Sequence, residues 1–288
     1  MIQFECGVSE PMSQTQSLTS SSNAMMSSFK SVACVSKLLV ALGLIAQASA
    51  QAPEWKKIRV AVEGNYPPFS LMSPNGKLGG FDIDIARALC VEMKAECTLI
   101  QQEWDGMIPA MNVKKFDMIV ASMTITDERK KAVDFSDPYY DVPSRWVAKT
   151  GLFKDVSPAS LKGKKIAVLR NSPRAKYVAE NYKGVELLEV AKETDVYLEL
   201  LAGRADIGIG SSVVSGEALL KKPEGKAYQQ VGPAVNIGAG SGVGIAIRKD
   251  DVVLRDKINV ALKGIRANGN YKKLADMYFD FDVSGQVK

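Results

Sequence analysis

From residue 58 onward the chain repeats one local pattern: a short apolar run of strand length, then a stretch with helical period. Runs at 58–62, 98–101 and 118–121 alternate with helical segments at 81–93 and 104–114. Apolar runs without polar alternation suit strands covered on both faces. The helices between them supply the covers, so the pattern predicts an α/β architecture with mostly parallel sheets flanked by helices. The same pattern begins again at 165–169 and continues through a helix at 174–181, a strand at 186–190, a helix at 195–201 and a strand at 206–209. This restart marks a second lobe, and 288 residues with 46% apolar content suffice for two moderate cores. A last strand at 243–247 is followed by helices at 252–267 and 271–279.

Residues 1–24 stand outside this scheme. They are polar and Ser/Thr-rich without periodicity, and read as disordered or as an upstream extension. From Met25 or Met26 the chain carries Lys30 and Lys37, an apolar run at 38–46 and the small residues Ala48-Ser-Ala50. These are the parts of a secretory signal peptide over 25–50, cleaved after Ala50. The run is too short to span a bilayer, and Cys34 precedes it, which argues against lipid attachment. The mature protein is expected to be soluble, monomeric and exported to the periplasm. In that compartment Cys90, near the end of an amphipathic helix, and Cys97, at the start of the next strand, can form a disulfide; two buried free thiols are the alternative.

The formal charge is +5, and the part after residue 50 keeps it (35 basic minus 30 acidic, since two Lys and two Glu precede). These charges are interspersed, without a basic stripe carrying aromatics, so nucleic acid is not an expected partner. The chain has no histidine, which removes His-based triads and His metal sites. Neither a metal nor a cofactor is expected.

The segment that carries chemistry is Asp117-Met-Ile-Val-Ala121, a buried-strand pattern that runs into Ser122, Thr124 and then Arg129. A strand end with hydroxyls, a helix start with free N–H groups and a planar guanidinium make a trap for a carboxylate. The alternative is that Ser122 and Thr124 only cap a turn while Arg129 is a solvated charge.

The neighbourhood weighs on that choice. Gly80-Phe-Asp-Ile-Asp-Ile-Ala-Arg-Ala-Leu-Cys-Val-Glu-Met93, Thr124-Ile-Thr-Asp-Glu-Arg129 and Asp134-Phe-Ser-Asp-Pro-Tyr139 follow one another at domain-scale spacing. Together they resemble the polar amino-acid family of solute-binding proteins for ABC importers, over essentially everything from Ile58 onward. The resemblance implies the two-lobed periplasmic binding protein type II fold, with lobe 1 at 53–142 and 245–288, lobe 2 at 148–237, and a two-crossing hinge at 143–147 and 238–244. It also implies an ABC permease as partner, and a disulfide at the two positions matching Cys90 and Cys97 in part of the family.

By the same resemblance the ligand is held by Ala121, Ser122, Thr124 and Arg129, with Tyr66 along its side chain, Glu63 at its distal group and Trp104 closing the other face. A carboxylate at Glu63 suits a guanidinium or ammonium, and two rings suit a flat cation. From the second lobe come Leu169 and Ser172, whose hydroxyl is expected to close over the ligand carboxylate, and Arg174. For Arg174 ordinary helix-surface charge is the competing reading, and for Arg170 the better one. Ser211 stands where many members place an aspartate that clamps the α-ammonium. Either another acid substitutes, or the α-nitrogen carries its own anionic group, as in opines. A rival from another class is a dehydratase acting on cyclohexadienyl acids, with Glu63 or another cleft acid as general acid; a sensory ligand-binding module is a third reading.

Overall fold

The computed structural model describes residues 55–237 and 242–284. The expected extension at 1–24, the leader at 25–50, and Gly238 and Gly240 of the second crossing lie outside the described residues. The chain opens with β1 (Lys57–Val62) and a small antiparallel ribbon of β2 (Asn65–Tyr66), β3 (Ser70–Met72) and β4 (Leu78–Gly79). Then come α1 (Phe81–Glu92), β5 (Glu96–Gln101), α2 (Met107–Asn112), β6 (Met118–Ile119), α3 (Asp127–Ala132) and β7 (Asp134–Phe135). The next stretch gives β8 (Ser144–Lys149), α4 (Pro158–Leu161), β9 (Lys165–Leu169), α5 (Pro173–Asn181), β10 (Glu186–Val190), α6 (Glu193–Leu201), β11 (Ile207–Ser211), α7 (Ser212–Ser215) and β12 (Tyr228–Val235). After it lie β13 (Ala246–Ile247), α8 (Val252–Ala267) and α9 (Asn270–Tyr278).

Two five-stranded sheets result, ordered β5–β1–β6–β13–β7 and β10–β9–β11–β8–β12. Each is the sheet of one lobe of an α/β fold. The strands of the alternating units pair in parallel, β1 with β5 and β6, and β9 with β10 and β11. The pairs made by β13 and by β8 are antiparallel. Those two strands follow the passages from one sheet to the other, without a crossover helix to reverse them, and therefore run against their neighbours. The sheets are accordingly mixed, less parallel than the local pattern predicts.

In the first lobe α1 places Phe81, Ile83, Ile85, Ala86 and Leu89 in one cluster with Leu254, Ile258, Ala261, Leu262 and Ile265 of α8. The α8 set recurs at steps of three and four, the stripe of a helix with one buried face. In the second lobe Trp146, Ile166, Val168, Ile207 and Ile209 pack with Leu161 and Val178. Each Leu, Ile, Val or Phe side chain so buried contributes roughly 1.5–3 kcal/mol.

Local departures from the sequence reading have physical reasons. The helix predicted at 104–114 divides into a 3-10 turn, Trp104–Gly106, and α2. Pro109 has no N–H to reach back to the carbonyl of Asp105, so the α-helical ladder begins only beyond that turn. The crossing expected as hinge at 143–147 lies mostly within β8, because extended chain beside β11 and β12 completes its hydrogen bonds as a strand. Of the strand expected at 243–247 only Ala246–Ile247 is regular, and Val243 makes isolated bridges to Thr124 and Tyr140.

Candidate functional site

The residues that follow β1, β5, β6 and β9 converge. A narrow pocket is lined by Glu63, Tyr66, Trp104, Ala121, Ser122, Thr124, Arg129, Leu169, Ser172, Pro173 and Arg174. It adjoins a second pocket that shares Tyr66, Ser122, Thr124, Pro173 and Arg174 and continues to Ser144 and Asn236. Every position singled out in the sequence as ligand-binding lines the first pocket except Ser211. Loops beyond the carboxyl ends of strands are where open α/β sheets hold ligands.

The loop bearing Glu63 and Tyr66 is held from below by Phe69. That ring is fully buried, stacks on Tyr140 at 4.8 Å and packs on Phe279 at 5.4 Å. Gly80, with φ +115°, brings the start of α1 against this loop; a Cβ there would fall 2.4 Å from the Phe69 carbonyl oxygen. Close approach of this kind needs glycine.

Arg129 is placed by its helix start. Thr126 caps α3, its side chain accepting from the Arg129 N–H at 3.2 Å. The guanidinium then lies over the Trp104 ring, 5.0 Å from its centroid, and donates to the carbonyls of Thr124 (2.8 Å) and Asn171 (3.5 Å). It is buried, and among the described residues no carboxylate pairs with it. Burial, then the nearby positive charge of Arg174, lowers its pKa to about 10. Glu63 is the counterpart: it too is buried, and among the described residues no cation is paired with it. Burial, followed by the carboxylates of Glu193, Glu103 and Asp82, raises its pKa to about 8.

Ser122 has φ +52° and donates to a carboxylate oxygen of Asp82 at 2.8 Å; Tyr139 donates to the other at 2.7 Å. Asp82 is fully buried beneath the site, and burial raises its pKa to about 7 against the pull of those two hydroxyls. Ser172 departs from expectation. Its hydroxyl caps α5 by accepting from the Ala175 N–H at 3.2 Å and donates to the Leu169 carbonyl at 2.5 Å. Its proton is therefore engaged within its own turn, and what it gives the site is the shape of that turn.

Arg174 is no surface charge. It donates to Glu193 at 2.7 Å and to the Ser144 hydroxyl at 2.9 Å. Burial opposes its charge most strongly, but Glu193 together with Tyr66 and Tyr197 holds its pKa above the ordinary value. Arg170 is half exposed and pairs with Asp105. Glu193 is the residue that sequence reasoning missed. It is fully buried at the start of α6 and accepts from Arg174, from Tyr66 and Tyr197 at 3.3 Å, and from the Ser211 N–H at 2.6 Å. Ser211 thus stands behind the wall against an acid from another element, and its buried hydroxyl has no hydrogen-bond partner among the described residues. Gly210 makes room: a Cβ there would lie 2.4 Å from the Tyr197 hydroxyl and 2.7 Å from Glu193 Oε1. The only signal in the sequence was an acid three residues beyond the strand-length run at 186–190.

The Cys90–Cys97 disulfide is formed, between α1 and β5. Among the described residues no cluster of His, Cys, Asp or Glu is arranged to hold a metal ion.

Residues 58–281 match the family described as bacterial extracellular solute-binding proteins, family 3. The L-arginine-binding protein of Pseudomonas aeruginosa is 45% identical over 256 residues, 86% of this chain and 99% of that protein. The lysine/arginine/ornithine-binding periplasmic protein of Escherichia coli K12 is 38% identical over 260 residues, 89% of this chain and 99% of that protein. Among solved structures, an ancestral arginine-binding protein bound to arginine superposes with a TM-score of 0.72 at 35% identity, covering 78% of this chain and 98% of that one.

Proposed function

We infer that this chain, which belongs to the family 3 bacterial extracellular solute-binding proteins, is the solute-binding component of an amino-acid ABC importer and takes arginine, or an amino acid with a similar cationic side chain, into the cleft between its lobes. One observation carries the ligand class: the cleft holds a buried guanidinium without a carboxylate partner and a buried carboxyl without a cationic partner among the described residues. Unpaired buried charge is costly, so the site suits a molecule that brings both opposite charges. The ligand carboxylate meets Arg129, with Ser122 and Thr124 beside it, and the distal cation meets Glu63, with Tyr66 and Trp104 along the chain between. Contacts from Leu169, Ser172 and Arg174 in the second lobe are gained only on closure, which is how a ligand shifts such a protein to its closed form. The closed form is what a membrane permease reads. Export through a leader at 25–50 to the periplasm, where relatives of this chain reside by name, belongs to the same reading.

The wall beside Ser211 supports a second ligand reading. The side chain facing the space there is Arg174, while Glu193 and Ser211 stand behind it. That guanidinium already pairs with Glu193, so an anionic substituent on the α-nitrogen, as in an opine, would share it with that carboxylate. The dehydratase alternative has no comparable support, since the two relatives described above are named as binding proteins.

Calorimetric titration of the purified protein with arginine, lysine, agmatine, octopine and nopaline tests all of this. Arginine is expected to bind tightly and agmatine, which lacks the carboxylate, hardly at all. Arg129→Ala should lose on the order of a thousandfold in affinity. Near-normal affinity in that variant, or equal binding of agmatine, would overturn the assignment; preference for octopine over arginine would select the second reading, and turnover of arogenate or prephenate would restore the enzyme.

A further inference from the structure

Between β5 and α2 three consecutive residues stand at the cleft mouth: the middle one lines the cleft and the two beside it reach across. Trp104 carries the Arg129 guanidinium. Its neighbour Glu103 pairs with Lys192 of the second lobe at 3.8 Å. On its other side, Asp105 receives two donors from the turn after β9: one carboxylate oxygen takes Arg170 Nε, and the other takes Asn171 Nδ2 at 2.8 Å. Asn171 is held at φ +53°, a conformation asparagine tolerates better than most residues. Its carbonyl oxygen is the second-lobe acceptor for Arg129, at 3.5 Å.

We propose that Asp105 is a clasp for the closed cleft: a positioning residue that never touches ligand, but holds the Arg170–Asn171 turn down so that the Asn171 carbonyl meets Arg129. The proposal rests on the reading of Arg129 as the ligand-binding guanidinium. Since both bonds run between lobes, they exist only in the closed form. They therefore act on the escape of ligand, with little effect on its entry or on the fold of either lobe. A single exposed ion pair contributes little; here one carboxylate satisfies two adjacent donors, and Asp105 is 28% exposed against 49% for Arg170.

Stopped-flow binding of arginine to the full chain and to Asp105→Ala, Arg170→Ala and the double variant tests the clasp. For Asp105→Ala we expect dissociation about fivefold faster, association within about twofold of the unaltered protein, and an unchanged melting temperature without ligand. The double variant should fall short of the product of the single effects, because both remove one bond. Unchanged dissociation in Asp105→Ala would overturn the clasp while leaving the ligand assignment intact, as would a loss of affinity entirely in the association rate or accompanied by a lower melting temperature. If the unaltered protein binds none of the cationic amino acids, the ligand assignment falls and the clasp with it.

Discussion

At the scale of single residues, Glu63 decides the pH behaviour. With the cleft closed and no cation inside, its pKa of about 8 keeps the carboxyl largely protonated at neutral pH, so a guanidinium that takes that place expels a proton. Affinity for arginine should therefore rise with pH, by up to about tenfold per unit between pH 6 and 8, and level off above. The sign for stability is opposite. A carboxyl with its folded pKa raised above the unfolded value contributes stability below about pH 4.3 that is lost progressively as pH approaches 8. Glu63→Gln should thus make the ligand-free protein more stable near neutrality while abolishing the pH slope of arginine binding. Calorimetry in two buffers of different ionisation enthalpy reads the proton directly, and no proton release at pH 7 would refute the mechanism. Glu63 could be found from sequence because it is the first residue after a strand-length run. Asp82 could not be given its place beneath the site, because its partners Ser122 and Tyr139 are 40 and 57 residues away.

Among the elements, α1 shows how stabilising and binding work are kept apart. Its first turn carries Asp82, under the cleft, and its last carries Cys90, bonded to Cys97 at the start of β5. Eight residues of helix put these ends about 12 Å apart. The disulfide closes a loop of eight residues, so the double variant Cys90→Ser/Cys97→Ser should lose about 2 kcal/mol of stability in urea titration. Its affinity for arginine should be unchanged within about twofold; a loss as large as that of Arg129→Ala would show the bond to shape the site. Helix starts do the opposite work. Thr126 and Ser172, caps of α3 and α5, each fix the direction in which a neighbouring arginine leaves its helix.

For the whole molecule, the cleft is where two sheets present the loops that follow their strands. Ligand bound there contacts both lobes and stabilises them together. At a thousandfold excess over Kd arginine should raise the unfolding free energy by about 4 kcal/mol, measured by urea denaturation, and Arg129→Ala should show almost none of this gain. A rise of equal size in that variant would place the ligand elsewhere. The α/β class, the restart at residue 165 and the side chains at strand ends were all legible in the chain, because burial and strand length impose a local periodicity. The strand at Tyr228–Val235 and the antiparallel entries of β8 and β13 were not, since pairing between distant segments leaves no local signature, and the strands of the ribbon β2–β4 are only two or three residues long, too short to show a period. The same divide runs through the site. Residue type and spacing alone determined that Glu63, at a strand end, and Arg129, farther along the segment that follows another strand, offer opposite charges. Only tertiary packing decided that both are buried without a charged partner among the described residues, that Arg174 is neutralised by Glu193, and that Asp105 spans the mouth, because desolvation and ion pairing depend on what the folded chain brings within a few ångströms.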